Sequence, residues 1–308
     1  MDLKISQYVW KGRVFLMDIS CLEKFVSEYK FGDSAGITEI LLLNGCLAMY
    51  EKTGKEFFKK TIEEKFENYV SGDGELKVSA DTGVYIFETG KCLIFLDREG
   101  INEKYNKALL KLYNKLRALK REDGIFVYSS CTECNSHSAE DIMLDTLTHV
   151  LPFYMSYETI YNKKGNYNDI VAQARQLYDV KFDEKTNKYS QCIIAEAKYL
   201  NALADTTLAV AEEIYEHFNF FKCLLREAVQ GIIPYLDKTN VFLGSDNTER
   251  MASTALILAA VKKGCKSGAL LSEKYEEFIS KVDKAVCDGS LHYKDDAVTM
   301  AAFMQAYV

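Results

Sequence analysis

The sequence predicts an all-α protein in which about twelve helices form six hairpins that close into a ring, six helices inside and six outside. Three observations predict it. Asp-Gly followed by aliphatic or aromatic residues recurs at Asp73-Gly74, Asp123-Gly124 and Asp288-Gly289. Weaker versions at Asp179-Val180-Lys181-Phe182 and from Asp237 to Phe242 fill the gaps; the spacing of roughly 50 to 60 residues is a repeat period. Midway through each interval a Gly or Asn stops one helix and a new amphipathic run begins, at Gly54, Gly100, Gly165, Asn219 and Gly268. Within each interval the first helix is apolar around most of its circumference and the second along one stripe, so the first is expected inside and the second half-exposed.

The elements follow in chain order. An early helix is expected over 21–29. The inner helices are expected over 37–50, 84–96, 142–161, 195–215 and 251–261, and a last one over 296–307. Two outer helices show the contrast. Over 56–70, Phe58, Ile62, Phe66, Tyr69 and Val70 fall at helical spacing among Lys and Glu, and over 102–119 Tyr105, Leu109, Leu112, Tyr113 and Leu116 do the same.

Composition limits the function classes. The 308 residues hold only 2 Pro and 17 Gly, little from which to build a linker, so a single domain over 1–308 is expected. With 48% hydrophobic residues the core is large, and a net charge of -7 gives no sequence-independent attraction to nucleic acid or an anionic membrane. No apolar run approaches the roughly 20 residues of a membrane span, and Lys4, Lys11, Arg13 and Asp18 interrupt the start where a signal peptide would be apolar. Nine Cys, several inside helical apolar patterns, read as reduced structural thiols. A cytoplasmic protein is expected. Cys131, Cys134 and His137 have the types and spacing of metal ligands, but a fourth ligand is missing, so no metal is expected. There is no phosphate-cradling glycine loop, no serine elbow and no H-E-x-x-H.

If the inner helices run parallel, their N-termini gather at one rim, where unpaired N–H groups and helix dipoles favour anions. The acids near those starts are Glu39, Asp81, Glu88, Asp141, Asp145, Glu196 and Glu249. A site is expected there.

Several stretches then resemble glycoside hydrolase families 88 and 105, the unsaturated glucuronyl and rhamnogalacturonyl hydrolases. Asp141-Ile-Met-Leu-Asp145-Thr-Leu-Thr-His149-Val-Leu-Pro152-Phe153 resembles E-x-W-x-D-x-L-x-M-x-x-P-F, and the run from Gly165 to Gln173 is similar to G-x-Y-x-D-x-A-x-x-Q. The run from Leu47 to Gly54 looks like L-x-L-Y-E-x-T-G, the run from Asn247 to Leu270 like E-x-S-x-S/T-A-x-I…K-G…G-x-L, and Met300 to Tyr307 like G-A-F-x-x-A-Y. The order and spacing of these motifs cover nearly the whole chain.

The resemblance implies an (α/α)6 barrel, in agreement with the ring read from the repeats. It implies hydration of the C4=C5 double bond of an unsaturated uronic acid, a disaccharide-sized oligosaccharide partner, and no metal or organic cofactor. Asp145 takes the acid/base position. Asp141, one turn earlier, is like-charged and could raise a neighbouring pKa; either acid could instead cap the helix. An acid followed by Leu147, Leu151 and Phe153 is otherwise awkward in an apolar wall. His149 stands where the family has Met, as a tuning group or a hydrogen-bonded core histidine.

Departures bear on the substrate site. The family's W-G-R-x-N-G-W should fall near residues 192–198, where almost nothing of it survives. The second family carboxylate aligns with Tyr85, leaving Asp81 and Glu88 as imperfect substitutes. Met251 stands where the family has Ser, and Trp10 is the only Trp. Either Glu196, Lys198, Glu249 and Arg250 rebuild the site for a different substrate, or the barrel is a degenerate scaffold that binds a carbohydrate or protein partner without hydrolysis. Lys198 and Arg250 could meet a uronate carboxylate or form surface salt bridges, and Glu249 could simply favour a helix N-terminus.

Overall fold

The computed structural model describes residues 7–10, 13–16, 19–128, 138–287 and 296–307. An antiparallel pair, β1 (Gln7–Trp10) and β2 (Arg13–Leu16), precedes the helices. Then come α1 (Ile19–Glu28), α2 (Ile37–Thr53), α3 (Glu56–Tyr69), a 3-10 segment (Gly83–Glu88) running into α4 (Thr89–Arg98), and α5 (Glu103–Arg117). A two-residue pair, β3 (Arg121–Glu122) and β4 (Ile125–Phe126), leads to α6 (Ala139–Ile160) and α7 (Tyr167–Lys181). The chain continues through α8 (Ile193–Ala209), α9 (Tyr215–Ile232), α10 (Asn247–Lys266), α11 (Ser272–Cys287) and α12 (Ala297–Ala306).

The inner elements touch in a closed circuit: α2 packs on the 3-10 segment and α4, these on α6, α6 on α8, α8 on α10, α10 on α12, and α12 back on α2. Outside them, α3, α5, α7, α9 and α11 each pack on the inner helix that precedes them. Among the described residues the twelve helices, α1 leading in, form the expected ring of hairpins, the (α/α)6 fold.

Side chains explain the division. An inner helix meets neighbours on nearly every side, and α10 accordingly buries an unbroken run from Met251 to Val261. Close approach needs small residues. A Cβ on Gly45 of α2 would lie 2.9 Å from Met304 Sδ of α12, and one on Gly90 of α4 would lie 2.2 Å from the Phe153 ring of α6. Outer helices bury one stripe, as Phe58, Ile62, Phe66 and Tyr69 do in α3.

The punctuation signals mark real turns with some exceptions. Gly54 ends α2 in the left-handed conformation (φ 66°), its N–H donating to Tyr50 O. The loop signals lie in a recurring pinch between each outer helix and the next inner one: Val70 bridges Leu76, β3 pairs β4 around Asp123-Gly124, Asp183 bridges Lys188, and Leu236 bridges Phe242. Asp288-Gly289 lies outside the described residues.

Four expectations shift. Asn219 does not stop a helix; it lies exposed inside α9, where Asn costs only a fraction of a kcal/mol. The inner helix expected to run to residue 215 ends at Ala209, where Val210 turns extended (ψ 132°). Residues 179–181 belong to α7, since exposed Val180 faces solvent and the chain turns only at Phe182. The inner helix expected from residue 84 begins as 3-10 backbone and becomes α-helical at Thr89. No helix among the described residues is long and apolar enough to cross a membrane.

Candidate active site

At one rim a cavity of about 990 Å³ opens, walled by the N-terminal turns of α6, α8, α10 and α12 and by the turn before α8. The acids at its edge are mostly engaged in ending helices. In α6, Ser138 Oγ accepts the Asp141 N–H at 3.2 Å, and Asp141 Oδ2 accepts the Ser138 N–H at 3.3 Å, the reciprocal capping arrangement that satisfies two otherwise unpaired donors. Asp246 caps α10 through the Glu249 N–H at 2.8 Å, and Asp296 caps α12 through the Thr299 N–H at 2.9 Å. Positive charge at the mouth therefore comes from side chains, with Lys181, Lys188 and Lys198 lining the cavity. The first two were not anticipated, because they sit in an outer helix and a turn whose approach to the mouth the sequence pattern does not show.

Below the mouth the cavity narrows to a throat of about 50 Å³, the two sharing Thr148, Ile194 and Lys198 among their walls. Asp145, one turn inside α6, lines the mouth with its side chain 22% exposed. One turn deeper on the same helix, His149 is buried, its Nε2 3.7 Å from Asp145 Oδ1 and its Nδ1 3.2 Å from Glu88 Oε1. Tyr85 packs its ring on His149 at 3.9 Å between centroids, and Lys198 of α8 donates to the Tyr85 hydroxyl at 2.8 Å. Three segments, the 3-10 segment, α6 and α8, thus bring Tyr85, Glu88, Asp145, His149 and Lys198 together.

Electrostatics gives this cluster a direction. Burial by itself pulls His149 toward neutrality, but hydrogen bonding and charge from Asp145 and Glu88 outweigh it and raise the imidazole's pKa above its ordinary value. Burial pushes Glu88 up, while the Lys91 charge and then His149 pull it below the ordinary range. Lys91 Nζ lies 3.1 Å from Glu88 and 2.9 Å from Asp205, which is 2.7 Å from Lys263. Lys263 also donates to Asn201, and Asn201 to Gln305. From α2, Asn44 donates to the Glu88 carbonyl and carboxylate. A polar column thus descends the barrel axis from the throat. Its members are the charged and amide residues interrupting the inner helices. An ionisable side chain in a helix apolar all round is expensive to bury alone, and this could have flagged Lys91, Asp205 and Lys263 from the sequence.

The other candidates divide. Asp141 and Glu249 line the mouth. Asp141 pairs with Lys181 at 2.5 Å; burial pushes its carboxyl up, but Lys181 and Ser138 hold it below the ordinary range. Glu249 accepts from the Ser245 N–H at 3.0 Å and from its hydroxyl, stapling the turn before α10. Glu196 is fully buried and turned away from the mouth, its Oε2 accepting the Tyr189 and Ser190 N–H groups at 2.9 and 2.8 Å. Arg250 lines neither mouth nor throat; it pairs with Asp237 and donates to Phe242 O. Met251 is core, exposed Asp81 accepts from Ser79 in the loop before the 3-10 segment, and Trp10 lies in β1. Cys131, Cys134 and His137 lie outside the described residues.

Similarity to known proteins bears on this site. The Glycosyl Hydrolase Family 88 profile matches residues 35–193, just over half of the chain and the part carrying Tyr85, Glu88, Asp145 and His149. A solved glycoside hydrolase of family 105 from C. acetobutylicum ATCC 824 superposes with a TM-score of 0.75 at 19% identity, over 92% of this chain and 98% of that one. A possible family 105 member from Salmonella enterica serovar Paratyphi A gives 0.75 at 12% identity over 94% and 92%. A family 88 hydrolase from Bacteroides vulgatus gives 0.68 at 10% over 94% and 97%. Comparison with curated protein sequences yields no match. At these identities the superpositions establish the (α/α)6 fold alone; the profile match carries the kinship, and with it the chain belongs to glycosyl hydrolase family 88.

Proposed function

We propose that the protein hydrolyses unsaturated uronyl oligosaccharides of about disaccharide size by hydrating the C4=C5 double bond, with Asp145 as general acid and base. The observation that carries this reading is the placing of Asp145: a carboxylate lining the open mouth, whose wall Lys198 also forms, and backed one turn deeper by the buried His149 and Glu88. A reacting sugar in the mouth comes within reach of that carboxyl, and geometry is the first requirement of an acid/base.

In this mechanism the Asp145 carboxyl protonates C4, and the positive charge left at C5 is shared with the ring oxygen. Water adds to C5, and its proton returns to Asp145. The hemiketal opens to a C5 ketone, the former ring oxygen remains on C1 as a hydroxyl, and C1 collapses to an aldehyde as the neighbouring sugar leaves. Lys198 is suited to the substrate carboxylate as a point charge in a partly dry site. The chemistry calls for no metal or organic cofactor. We place the activity in the cytoplasm, where reduced cysteines are the rule; fractionation of the source cells tests that placement.

The test is turnover of an unsaturated uronyl disaccharide, followed by loss of the conjugated double bond's absorbance. Asp145→Asn should lower kcat at least about 100-fold while the thermal melt stays in place. Unchanged turnover in that variant removes the assigned role. One observation favours the binding-scaffold alternative: the segment standing where the family has its Trp-Arg motif commits Glu196 to holding a turn. Saturable binding of the disaccharide without turnover would select that alternative.

A further inference from the structure

A proton supply problem follows from the proposed chemistry. An aspartic acid's ordinary pKa is about 3.9, so a carboxyl that must deliver a proton near neutrality needs a source of one. In this barrel the neighbour one turn deeper is an imidazole held between two carboxylates. The arrangement is specific: His149 is 3% exposed, its Nδ1 faces Glu88 Oε1 at 3.2 Å, and its buried Nε2 faces Asp145 Oδ1, 3.7 Å away. Hydrogen-bond contacts between catalytic groups commonly shorten when substrate binds.

We propose that His149 is the proton reservoir of Asp145, passing its Nε2 proton to Asp145 Oδ1 and recovering it within each turnover, while Glu88 holds the Nδ1 proton in place. This rests on reading Asp145 as the acid. The cycle balances. Before reaction the pair is imidazolium and carboxylate. The Nε2 proton moves to Asp145, leaving neutral imidazole and carboxylic acid; that proton then forms the C4–H bond. Water adds at C5 and gives its proton to Asp145, from which it returns to Nε2, so the enzyme ends as it began. His149 does not touch the substrate in this scheme, and acts as a positioning residue through Asp145.

The surroundings keep the imidazole charged. Facing it are Asp145 from its own helix α6, and Glu88 and Tyr85 from the 3-10 segment. Behind Glu88 stands Lys91 of α4, itself paired with Asp205 of α8, and Lys198 of α8 is held on the Tyr85 hydroxyl. The neutral Asn44 of α2 completes the ring around Glu88. Lys91 keeps Glu88 ionised and Asp205 offsets Lys91, so the negative charges nearest the imidazole are Glu88 and Asp145. The raised pKa of His149 agrees with this count.

The experiment compares pH profiles of kcat and kcat/KM for the wild type, His149→Met, His149→Gln and Asp145→Asn on an unsaturated uronyl disaccharide, alongside NMR titration of 15N-histidine-labelled protein. With only four histidines, the resonance lost in His149→Met identifies His149. The expected result is a basic limb governed in the wild type by the shared proton. In both His149 variants that limb should move at least about one pH unit lower, with kcat down on the order of 10- to 100-fold at neutral pH and KM little changed. The His149 resonance should titrate above about 6.5 in the wild type and lower in Glu88→Gln. A slower His149 variant whose limb stays in place overturns the relay, as does a His149 that is neutral at pH 7. If Asp145→Asn is inactive and the His149 limb does not move, only the relay falls; if Asp145→Asn retains turnover, or the wild type has none, the acid/base reading falls and the relay with it.

Discussion

At the scale of single residues, Glu196 shows how position outweighs residue type. It was a candidate for rebuilding the sugar site, yet it lies wholly buried and holds the turn that walls the mouth through two backbone amides. Burial pushes its pKa up to about 7, against the lowering from the Ser190 and Tyr189 N–H groups and Lys188. The sign is unusual for a carboxylate. Below about 4.5 both folded and unfolded chains hold the proton and there is no penalty. Between that pH and about 7 the unfolded chain ionises while the folded one does not, so stability falls as pH rises, by on the order of 3 kcal/mol in full. Glu196→Gln should therefore gain stability relative to the wild type on going from pH 5 to pH 7.5, measured by urea unfolding. A pH-independent difference would show that Glu196 does not titrate in that window. The sequence offered Glu196 only as an acid near a helix start; the direction of its side chain was not legible, because Glu is as compatible with pointing to the rim as to the turn beneath it.

At the scale of elements, the inner helices were legible because their pattern is extreme. A helix that buries every face, as α10 does over most of its length, has no polar stripe to mislead the reading. Their ends were less so. Where a glycine adopts positive φ, as at Gly54, the stop is written in the residue; where α8 stops at Ala209, nothing in Val210 to Ile214 signals it and packing decides. The joining of elements depends on small residues at contacts, and Gly90 is the sharpest case. A Cβ there would stand 2.2 Å from the ring of Phe153, the residue that closes the motif beginning at Asp141. Gly90→Ala should destabilise the protein by about 1–3 kcal/mol and, by displacing α4 from α6, weaken the alignment of Glu88 with His149. Denaturant melts check the first effect. An alanine variant as stable as the wild type would mean that α4 and α6 shift apart freely.

At the scale of the whole molecule, the barrel is closed by an apolar ring and bolted along its axis by charge. Asp205 bridges Lys91 of α4 and Lys263 of α10 from its place on α8, and burial, which pushes it up, is outweighed by these two lysines, leaving its pKa at about 2. Removing the shared anion leaves two cations near one another in the interior. Asp205→Asn should cost about 3–5 kcal/mol, and adding Lys263→Met should restore part of the loss, a coupling that a double-mutant cycle reads directly. Additive effects would mean that the three charges act independently.

What the sequence by itself determined about this protein is the hairpin count, the inner and outer division and the family. All three reside in local periodicity and in motifs spaced along one chain, which no long-range contact needs to supply. What only the tertiary structure decided is which polar side chains meet. Glu88 and His149 are 61 positions apart, Lys91 and Asp205 114, and neither pairing leaves a local pattern. The physical reason is ring closure: it brings inner helices from distant parts of the chain against one axis, where each buried charge must find its partner across the barrel rather than along its own helix.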